Sequence, residues 1–419
     1  MRARWSREQM TVAASRQATE VEEVFREAYG QAVSTLVRVF GDITLAEDAV
    51  QEAFVLASDR WAVDGIPPSP AGWIVTTARH KAIDHLRRSA RGRELLEELG
   101  TIKEADEDQP GQVVVSDDRL RLIFTCCHPS LRTEHQVALT LRLLGGLTVG
   151  EVASSFLVTE SAMAKRLVRA KYKIKAAKIP YRVPKEADLP ERLRSVLSVL
   201  YLIYNTGADD PDRSGLRHEA IRLARALVDL MPDEPEAAGL LALMLLGESR
   251  MPARTMGGEL VLLADQDRSR WDRSSIAEGQ EIVRSCIRRN RPGPFQIQAA
   301  IQAVHCDAQS FEDTDWDQIV TLYHQLFAIV PTAVVALNRA IAIGETEGPN
   351  AALEALEEVS SELDDYYLLQ ATRGAMLQRL GRNKAARSAY QRAADLAPTD
   401  RDRRLLRRRI EGIDGGGTP

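Results

Sequence analysis

The chain has 419 residues and a net charge of −5; 44% of its residues are hydrophobic and 5% are aromatic. These values are ordinary for a soluble protein built from helices rich in Ala and Leu. The longest apolar run, Gly239 to Gly247, is too short to cross a bilayer, and the N-terminus lacks the apolar core of a secretory signal. Four cysteines in such a chain do not make a disulfide framework. We therefore expect a cytoplasmic protein with a flexible tail over residues 1–17 and no membrane contact.

The charges are distributed unevenly along the chain. Residues 1–185 hold 27 Lys and Arg against 24 Asp and Glu, so the acids are in excess in the remainder. The stretch from Arg79 to Arg93 has six basic residues and one acid, and Glu160 to Lys185 has nine and one. Between them, Glu94 to Asp108 has seven acids and one Lys. This pattern predicts two contacts with DNA, an acidic tether between them, and a partner other than DNA for the second half.

The first part of the chain predicts helices around one proline-rich loop. Apolar residues recur at helical spacing in three stretches, which are Glu20 to Phe40, Leu45 to Trp61 and Ala71 to Arg93. The loop from Asp64 to Pro70 holds three prolines and a glycine. We predict a first helical domain over residues 18–93, followed by an acidic linker over residues 94–116.

The helix that starts at Gly72 carries most of its basic residues on one side. This set is Arg79, Lys81, Arg87, Arg88, Arg91 and Arg93. A basic face can hold phosphates, and a loop beside it can receive an unstacked base. We expect Trp73 in the core, and we expect Asp84 and His85 to orient the neighbouring arginines.

Residues 148–175, TVGEVASSFLVTESAMAKRLVRAKYKIK, indicate two short helices joined by a tight turn. Thr148 and Glu151 have the spacing of a capping box, and Thr159 can cap the second helix. The expected inner face holds Val149, Val152, Ala153, Ala162, Met163, Leu167 and Ala170. The expected outer face holds Lys165, Arg166, Arg169 and Lys173, and the turn consists of Phe156, Leu157 and Val158.

This layout is that of a helix-turn-helix, whose second helix enters the DNA major groove. The alternative is an ordinary helical hairpin with a solvated basic face. We place the helix-turn-helix at residues 148–177, within a second domain over residues 117–180.

Residues 186–419 predict a long helical domain with repeats. Within residues 367–400, five residues have the positions of a tetratricopeptide unit, namely Gly374, Ala386, Tyr390, Ala393 and Pro398. Weaker copies end at Pro232 and Pro331, whereas residues 247–294 do not fit the pattern. Each helix pair has an apolar face that only a stacked neighbour can bury. An all-α domain without true repeats is the alternative.

No catalytic or metal-binding group stands out. The adjacent Cys126, Cys127 and His128 lack the spacing that a tetrahedral zinc site needs, and His305 with Cys306 is no better. The sequence has no phosphate-binding glycine loop and no nucleophile motif. We expect no metal, no cofactor and no enzymatic activity.

Three motifs, in this order, resemble bacterial extracytoplasmic-function sigma factors. They are DITLAEDAVQEAF at residues 42–54, WIVTTARHKAIDHLRR at 73–88 and ALTLRLLGGLTVGEVASSFLVTESAMAKRLVRAKYKI at 138–174. The tail, with LIFTCCHPSL and LRSVLSVLYLIYNTGA, resembles the subgroup with a long C-terminal extension. The resemblance implies an all-α fold with a sigma domain 2 helical bundle, a sigma domain 4 helix-turn-helix and a C-terminal TPR-like helical-repeat domain.

The resemblance also implies which residues act. Asp48, Gln51 and Glu52 correspond to the helix that docks on the β′ clamp helices of RNA polymerase, and domain 4 would meet the β flap. The loop at residues 64–70 and a basic set correspond to the part that melts the −10 DNA; the set is Arg79, His80, Lys81, Arg87 and Arg88. The family often has Asn at the position of His80. The −35 DNA would be read by Thr159, Glu160, Ser161, Lys165, Arg166 and Arg169, whereas Ala162 and Met163 would pack.

We therefore expect a sigma factor that binds core RNA polymerase and promoter DNA. The acidic linker would occupy basic protein channels, since its charge repels nucleic acid. The C-terminal domain would modulate activity in cis or receive a regulatory protein. The alternative is a stand-alone helix-turn-helix regulator with a TPR-like sensor domain, which would leave the motifs between Asp42 and Arg93 without a function.

Overall fold

The computed structural model describes residues 28–88, 112–156, 158–209 and 214–414. Nearly all of them are helical, and the described part of the chain has one pair of two-residue strands. The predicted all-α class is therefore confirmed. The predicted tail, most of the predicted linker, Arg91, Arg93 and Leu157 lie outside the described residues. None of the described helices is both long and apolar enough to cross a membrane.

The chain divides into two compact units, Met1–Leu230 and Met231–Pro419. The first begins with an N-terminal bundle of three helices, in which α1 covers 28–40, α2 covers Ile43–Asp64 and α3 covers Pro70–Arg88. Helix α2 starts because the Asp42 carboxylate accepts hydrogen bonds from the backbone N–H groups of Thr44 and Leu45, at 2.9 and 3.2 Å. It ends at Gly65, whose φ of 81° suits a residue without a side chain.

Four helices form a central bundle. They are α4 (Gln112–Cys126), α5 (Thr133–Leu139), α6 (Val149–Ser155) and α7 (Glu160–Ala176). A π-helical turn, Thr140–Leu144, continues α5 and is buried along its whole length. Helix α4 begins within the range predicted as linker.

The N-terminal and central bundles meet backbone to backbone. Gly30 lies in α1, and a Cβ atom added there would stand 2.9 Å from the carbonyl oxygen of Leu144. Since real Cβ atoms do not approach carbonyl oxygens so closely, glycine permits the two bundles to pack at this distance.

Two helices of the C-terminal extension complete the first unit, α8 (Leu189–Asp209) and α9 (Ser214–Leu230). Arg192 of α8 donates a hydrogen bond to the carbonyl oxygen of Phe124 at 2.6 Å. Arg222 of α9 donates to the carbonyl oxygen of Leu144 at 3.2 Å and to the Glu219 carboxylate at 2.7 Å. The start of the extension is thus bound to the central bundle.

The second unit is a succession of packed helices. They are α10 (Pro235–Ser249), α11 (Arg273–Arg289), α12 (Pro294–Asp307), α13 (Trp316–Ile329), α14 (Ala333–Thr346), α15 (Pro349–Glu357), α16 (Ser360–Leu363), α17 (Tyr367–Arg379), α18 (Asn383–Leu396) and α19 (Asp400–Asp414). The apolar run found in the sequence forms the centre of α10, which is buried against α11 and α12. In the predicted repeat unit, Gly374 lets α17 approach α18, because an added Cβ atom would stand 2.7 Å from the Tyr390 ring.

Residues 250–272, which fit no repeat, form a structure that we call the hairpin loop. Its strands β1 (Thr255–Met256) and β2 (Glu259–Leu260) pair antiparallel. Gly257 and Gly258 join them, both with positive φ, as tight two-residue hairpins require.

Candidate nucleic-acid interface

The helix-turn-helix is capped as its sequence predicts. Thr148 Oγ1 accepts from the backbone N–H of Glu151 at 3.2 Å, and the Glu151 carboxylate accepts from the backbone N–H of Thr148 at 2.7 Å. This is a complete capping box at the start of α6. At the start of α7, Thr159 Oγ1 accepts from the backbone N–H of Ala162 at 3.3 Å. Both caps are therefore confirmed, and they set where the two helices begin.

Helix α7 presents its basic residues to solvent. Its buried face holds Met163, Leu167, Ala170 and Ile174. The exposed residues include Thr159, Glu160, Ser161, Lys165, Arg169 and Lys173. Arg166 is half-buried, with its guanidinium 5.1 Å from the centre of the Phe156 ring. A cationic surface of this kind suits a phosphate backbone.

Ala162 is exposed, so the prediction that it packs inside is wrong. The buried residues recur at intervals of four, three and four from Met163, and Ala162 lies one residue outside that stripe. Val149, predicted in the buried stripe of α6, is only half-buried, whereas Val152 and Ala153 are buried as predicted.

Helix α3 carries the second basic surface. Arg79, His80, Arg87 and Arg88 are exposed, and Lys81 is half-buried. Each of them lies off the apolar stripe, which consists of Ile74, Ala78, Ala82 and Leu86. Trp73 is half-buried rather than in the core, and its ring lies edge-on to Trp61 at 5.5 Å.

Asp84 and His85 of this helix have different partners. Asp84 pairs with Arg87 at 3.6 Å, which fits the prediction that it orients an arginine. His85 instead contacts Glu52 of α2, with 2.6 Å between Nε2 and Oε1. The prediction that His85 orients an arginine is therefore wrong, because the neighbouring helix supplies a carboxylate.

Three α2 residues predicted to bind polymerase lie beside this basic surface. Glu52 pairs with His85 and, at 3.5 Å, with Lys81, and the hydrogen bond from His85 is the main cause that lowers the pKa of Glu52. Gln51 donates to Glu47 at 3.1 Å. Asp48 is exposed, yet partial desolvation raises the pKa of its carboxyl. The structure thus brings the predicted polymerase residues and the predicted −10 residues into one neighbourhood.

A buried ionic cluster joins the two bundles. Glu47 of α2 accepts from Arg142 Nε of the π-helical turn at 2.6 Å and from Lys171 Nζ of α7 at 2.9 Å. The side chains of Glu47 and Arg142 are each 7% exposed. Burial alone would raise the pKa of Glu47, but Lys171 and Arg142 outweigh it, and the pKa is lowered. We call Glu47, Arg142 and Lys171 the seam cluster.

Sequence reasoning missed the seam cluster, although a signal exists. Glu47 falls in the apolar stripe of α2, between Ile43 and Val50, and Arg142 is flanked by apolar residues. Charged residues at buried positions are rarely stable unless they pair. That argument predicts a partner for each, but a single sequence does not identify it.

Further polar contacts join the N-terminal bundle to the central bundle and to the segment that follows it. The hydroxyl of Tyr181 lies between two backbone carbonyl oxygens that can share its one hydrogen, that of Ser34 at 2.7 Å and that of Asp118 at 3.0 Å. Arg38 of α1 donates to the Asp118 carboxylate of α4 at 2.8 Å. Lys175 of α7 lies 3.5 Å from Asp42. The C-terminal half of α7 is therefore bound to the N-terminal bundle, while the outer face of its N-terminal half is open to solvent.

The cysteines take part in packing. Cys126 and Cys127 are buried free thiols, and Cys127 contacts the Thr140 hydroxyl at 3.5 Å. Burial raises the pKa of Cys127 to about 12. Within the described ranges, no group of three or more His, Cys, Asp or Glu side chains could hold a metal ion.

Comparison with known families matches three parts of the chain. Residues 24–92 match Sigma-70 region 2, and residues 121–174 match Sigma-70 region 4. Residues 192–287 match a family of unknown function, DUF6596, which spans α8 to α11. The first two matches contain α2 and α3 on one side of the seam and the helix-turn-helix on the other.

Several known proteins are similar to this chain. An uncharacterized protein of Rhizobium meliloti (strain 1021) is 41% identical over 91% of this chain and 93% of its own length. The ECF RNA polymerase sigma factor SigL of Mycobacterium tuberculosis is 30% identical over 31% of this chain and 73% of its own length. Among solved structures, a thermophilic TPR protein of Thermus thermophilus covers 51% of this chain and 98% of its own, at 16% identity and a TM-score of 0.36. With regions 2 and 4 present in order and most of SigL covered, the chain belongs to the ECF RNA polymerase sigma factors, which direct promoter-specific transcription initiation.

Proposed function

We propose that this sigma factor reads the −35 DNA with the N-terminal half of α7. The observation that carries the proposal is the division of this helix: Lys165 and Arg169 are exposed, whereas Lys171 is held by Glu47. The Thr159 cap sets the start of the helix, and Glu160 and Ser161 follow it into solvent. Arg166 of α7 is held beside Phe156 of the turn, and from there it would contact the DNA. Side chains at the start of a recognition helix are those that meet base edges in the major groove.

Helix α3 and the loop before it would melt and hold the −10 DNA. Arg79, His80, Arg87 and Arg88 project into solvent from one helix, as phosphate contacts require. Lys81 would contribute from the edge of this surface, since it pairs with Glu52 in the free protein. A cationic helix next to a proline-rich loop suits a single strand whose bases are unstacked.

The acidic face of α2 would bind the β′ clamp helices of polymerase. Asp48, Gln51 and Glu52 lie on one side of α2, next to the seam cluster. Because Glu52 contacts His85 and Lys81 of α3, a partner that binds Glu52 would also change the surroundings of the −10 residues. Domain 4 would contact the β flap.

The C-terminal extension would modulate this activity in cis, or receive a regulatory protein that does so. Arg192 and Arg222 bind backbone carbonyls of the central bundle, the bundle that also contains the helix-turn-helix. Arg222 reaches Leu144, the residue that packs on Gly30 of the N-terminal bundle. The extension is therefore positioned to influence how the two bundles separate. The place of action would be the cytoplasm, with the polymerase.

In-vitro transcription with purified core RNA polymerase and a promoter library tests the proposal. The full-length protein should make core polymerase start at a defined promoter set. Asp48→Arg should abolish binding to core polymerase, and Lys165→Gln with Arg169→Gln should abolish promoter selection while polymerase binding persists. If the protein binds DNA specifically but never associates with core polymerase, it is instead a stand-alone helix-turn-helix regulator. Deleting residues 190–419 should change transcript yield, and unchanged yield would refute modulation in cis.

A further inference from the structure

The second unit contains a cleft of about 390 Å³ between the hairpin loop and the last helices of the chain. One wall consists of residues 260–263 of the hairpin loop, and the other consists of residues from α17 and α19. This volume lies within the range of cavities that take small molecules, about 300–1,000 Å³. The cleft is far in sequence from the promoter-binding helices.

The wall that the hairpin loop supplies is anchored in the core. The guanidinium of Arg268 is buried and donates to the carbonyl oxygens of His305 and Ala308, each at 2.8 Å. It also lies 4.7 Å from the centre of the Trp271 ring, which is itself 3% exposed. These contacts anchor the end of the hairpin loop to the C-terminal end of α12.

The wall formed by residues 260–263 is apolar and partly exposed. Leu260, Val261, Leu262 and Leu263 are all half-buried, although four consecutive apolar residues are usually covered in a folded protein. Opposite them, Leu368 is 39% exposed. An apolar ligand that covered these side chains would remove this surface from water.

The charged side chains that line the cleft are mostly cationic. Arg254 of the hairpin loop and Arg409 of α19 line it, against one acid, Asp402. The carboxylate of Asp402 is engaged by the Thr399 hydroxyl at 2.6 Å. The neighbouring Arg404 and Arg408 are engaged by Glu259, at 2.8 and 3.3 Å. Two guanidinium groups at an apolar cleft favour an anion such as a carboxylate.

One buried acceptor in the wall has no partner among the described residues. Gln266 donates from Nε2 to the carbonyl oxygen of Val261 at 3.3 Å, which assigns the other amide atom as the oxygen. That Oε1 atom is buried and accepts no hydrogen bond from any described group. A buried acceptor without a donor costs free energy, so a ligand N–H or O–H that reached Oε1 after a small shift of the Gln266 side chain would satisfy it.

From these features we propose that the cleft binds a small organic acid that combines an apolar body, a carboxylate and a hydrogen-bond donor. N-acyl derivatives of apolar amino acids have this chemistry. The apolar body covers residues 260–263, the carboxylate lies between Arg254 and Arg409, and the amide N–H donates to Gln266. The C-terminal extension is thereby a receptor for a metabolite of this class.

Isothermal titration of the full-length protein tests the proposal, using N-acetyl-leucine, N-acetyl-phenylalanine and N-acetyl-tryptophan as probes. At least one should bind. The matching primary amide, which lacks the carboxylate, and 4-phenylbutyrate, which lacks the donor, should each bind at least tenfold more weakly. Because binding is measured directly, failure here leaves the proposed role in transcription untouched, and failure of that role leaves this test valid.

Matched variants locate the site. Arg409→Gln and Arg254→Gln should each weaken binding at least tenfold, whereas Arg407→Gln, which changes an exposed residue of α19 outside the cleft, should not. Gln266→Leu should abolish the preference for the N-acyl acid over 4-phenylbutyrate. If none of the probes binds at millimolar concentration, if the neutral amide binds equally well, or if Arg409→Gln has no effect in a folded protein, the proposal is wrong. Binding only of longer acidic peptides would also overturn it, in favour of a protein-docking groove.

Discussion

Glu47 Oε1 lies 2.6 Å from Arg142 Nε, and these two buried side chains join region 2 to region 4 across 95 residues of sequence. Lys171 of α7 completes the cluster at 2.9 Å. The Glu47 carboxylate therefore joins α2, which we propose binds polymerase, to α7, which we propose binds DNA. Any change that separates the two regions must first expose or re-pair these charges.

Glu47→Gln should destabilise the first unit. The substitution keeps the shape of the side chain but leaves Arg142 buried without a counter-charge, a change that costs about 3–5 kcal/mol in buried pairs. Urea unfolding at neutral pH, followed by circular dichroism, measures the loss. Asp59→Asn, an exposed position on the same helix, is the control and should change stability little. Equal stability of the two variants would contradict this account of the seam.

The contribution of Glu47 should also vanish in acid. Its pKa is lowered in the folded protein from the ordinary value of 4.5, so its stabilising effect is complete above that value and is lost as the pH falls through the folded pKa. The difference in unfolding free energy between wild type and Glu47→Gln should therefore be constant above about pH 5 and shrink below 4.5. A difference that persisted in acid would show that charge is not its source.

Gly30→Ala should push the two bundles apart. The new methyl group would meet the carbonyl oxygen of Leu144 at 2.9 Å, and overpacking of this kind costs about 1–3 kcal/mol. Gly150→Ala is the matched control, because the nearest atom to its added Cβ lies at 3.8 Å and helices favour Ala over Gly. Differential scanning calorimetry should show a lower unfolding temperature for Gly30→Ala and an unchanged or higher one for Gly150→Ala.

The features of this fold that the sequence predicts are those that depend on residues close together in the chain. The caps at Thr148 and Thr159 depend on residues three positions away, so their sequence spacing is enough to find them. The buried stripe from Met163 to Ile174 follows from helical periodicity. The sequence does not settle the side on which Ala162 lies, because a small residue at the edge of that stripe suits either side.

Contacts between residues that are far apart in the chain cannot be predicted in this way. Nothing local to Glu47 indicates that Arg142 and Lys171 are its partners, and nothing near His85 indicates Glu52. The sequence shows the hairpin loop only as a break in the repeat, because its anchor, Arg268, binds carbonyls of residues about forty positions later. Such pairings follow from tertiary packing, which a single sequence leaves open.

Lys165→Gln and Arg169→Gln should each weaken DNA binding by the assembled polymerase. Each removed phosphate contact should reduce the slope of log affinity against log salt by about 1, whereas loss of a base contact should relax specificity at one position. Fluorescence anisotropy on a labelled −35 duplex over a salt series separates the two outcomes. Arg194→Gln, an exposed arginine of α8, removes the same charge away from α7 and is the control. If it weakens binding equally, net charge rather than the recognition helix is responsible.

His305→Leu should make the stability of the second unit less dependent on pH. Burial, with Arg250 and Arg268 nearby, lowers the pKa of His305 to about 3 from an ordinary 6.5, and its ring lies edge-on to Trp316 at 5.2 Å. Since the unfolded chain binds this proton at a higher pH than the folded one, stability is complete above pH 6.5 and falls as the pH drops towards 3.

In the wild type, the free energy of unfolding should be about 2 kcal/mol lower at pH 5 than above pH 6.5, because each pH unit below 6.5 costs about 1.4 kcal/mol. Hydrogen exchange of the backbone amides of α12 at pH 5 and pH 7, compared as protection factors, measures it in the intact chain. His305→Leu should lose less protection on acidification, whereas His324→Gln, at an exposed position of α13, should behave as wild type. An unchanged pH dependence in His305→Leu would mean that this imidazole takes up a proton without unfolding its surroundings.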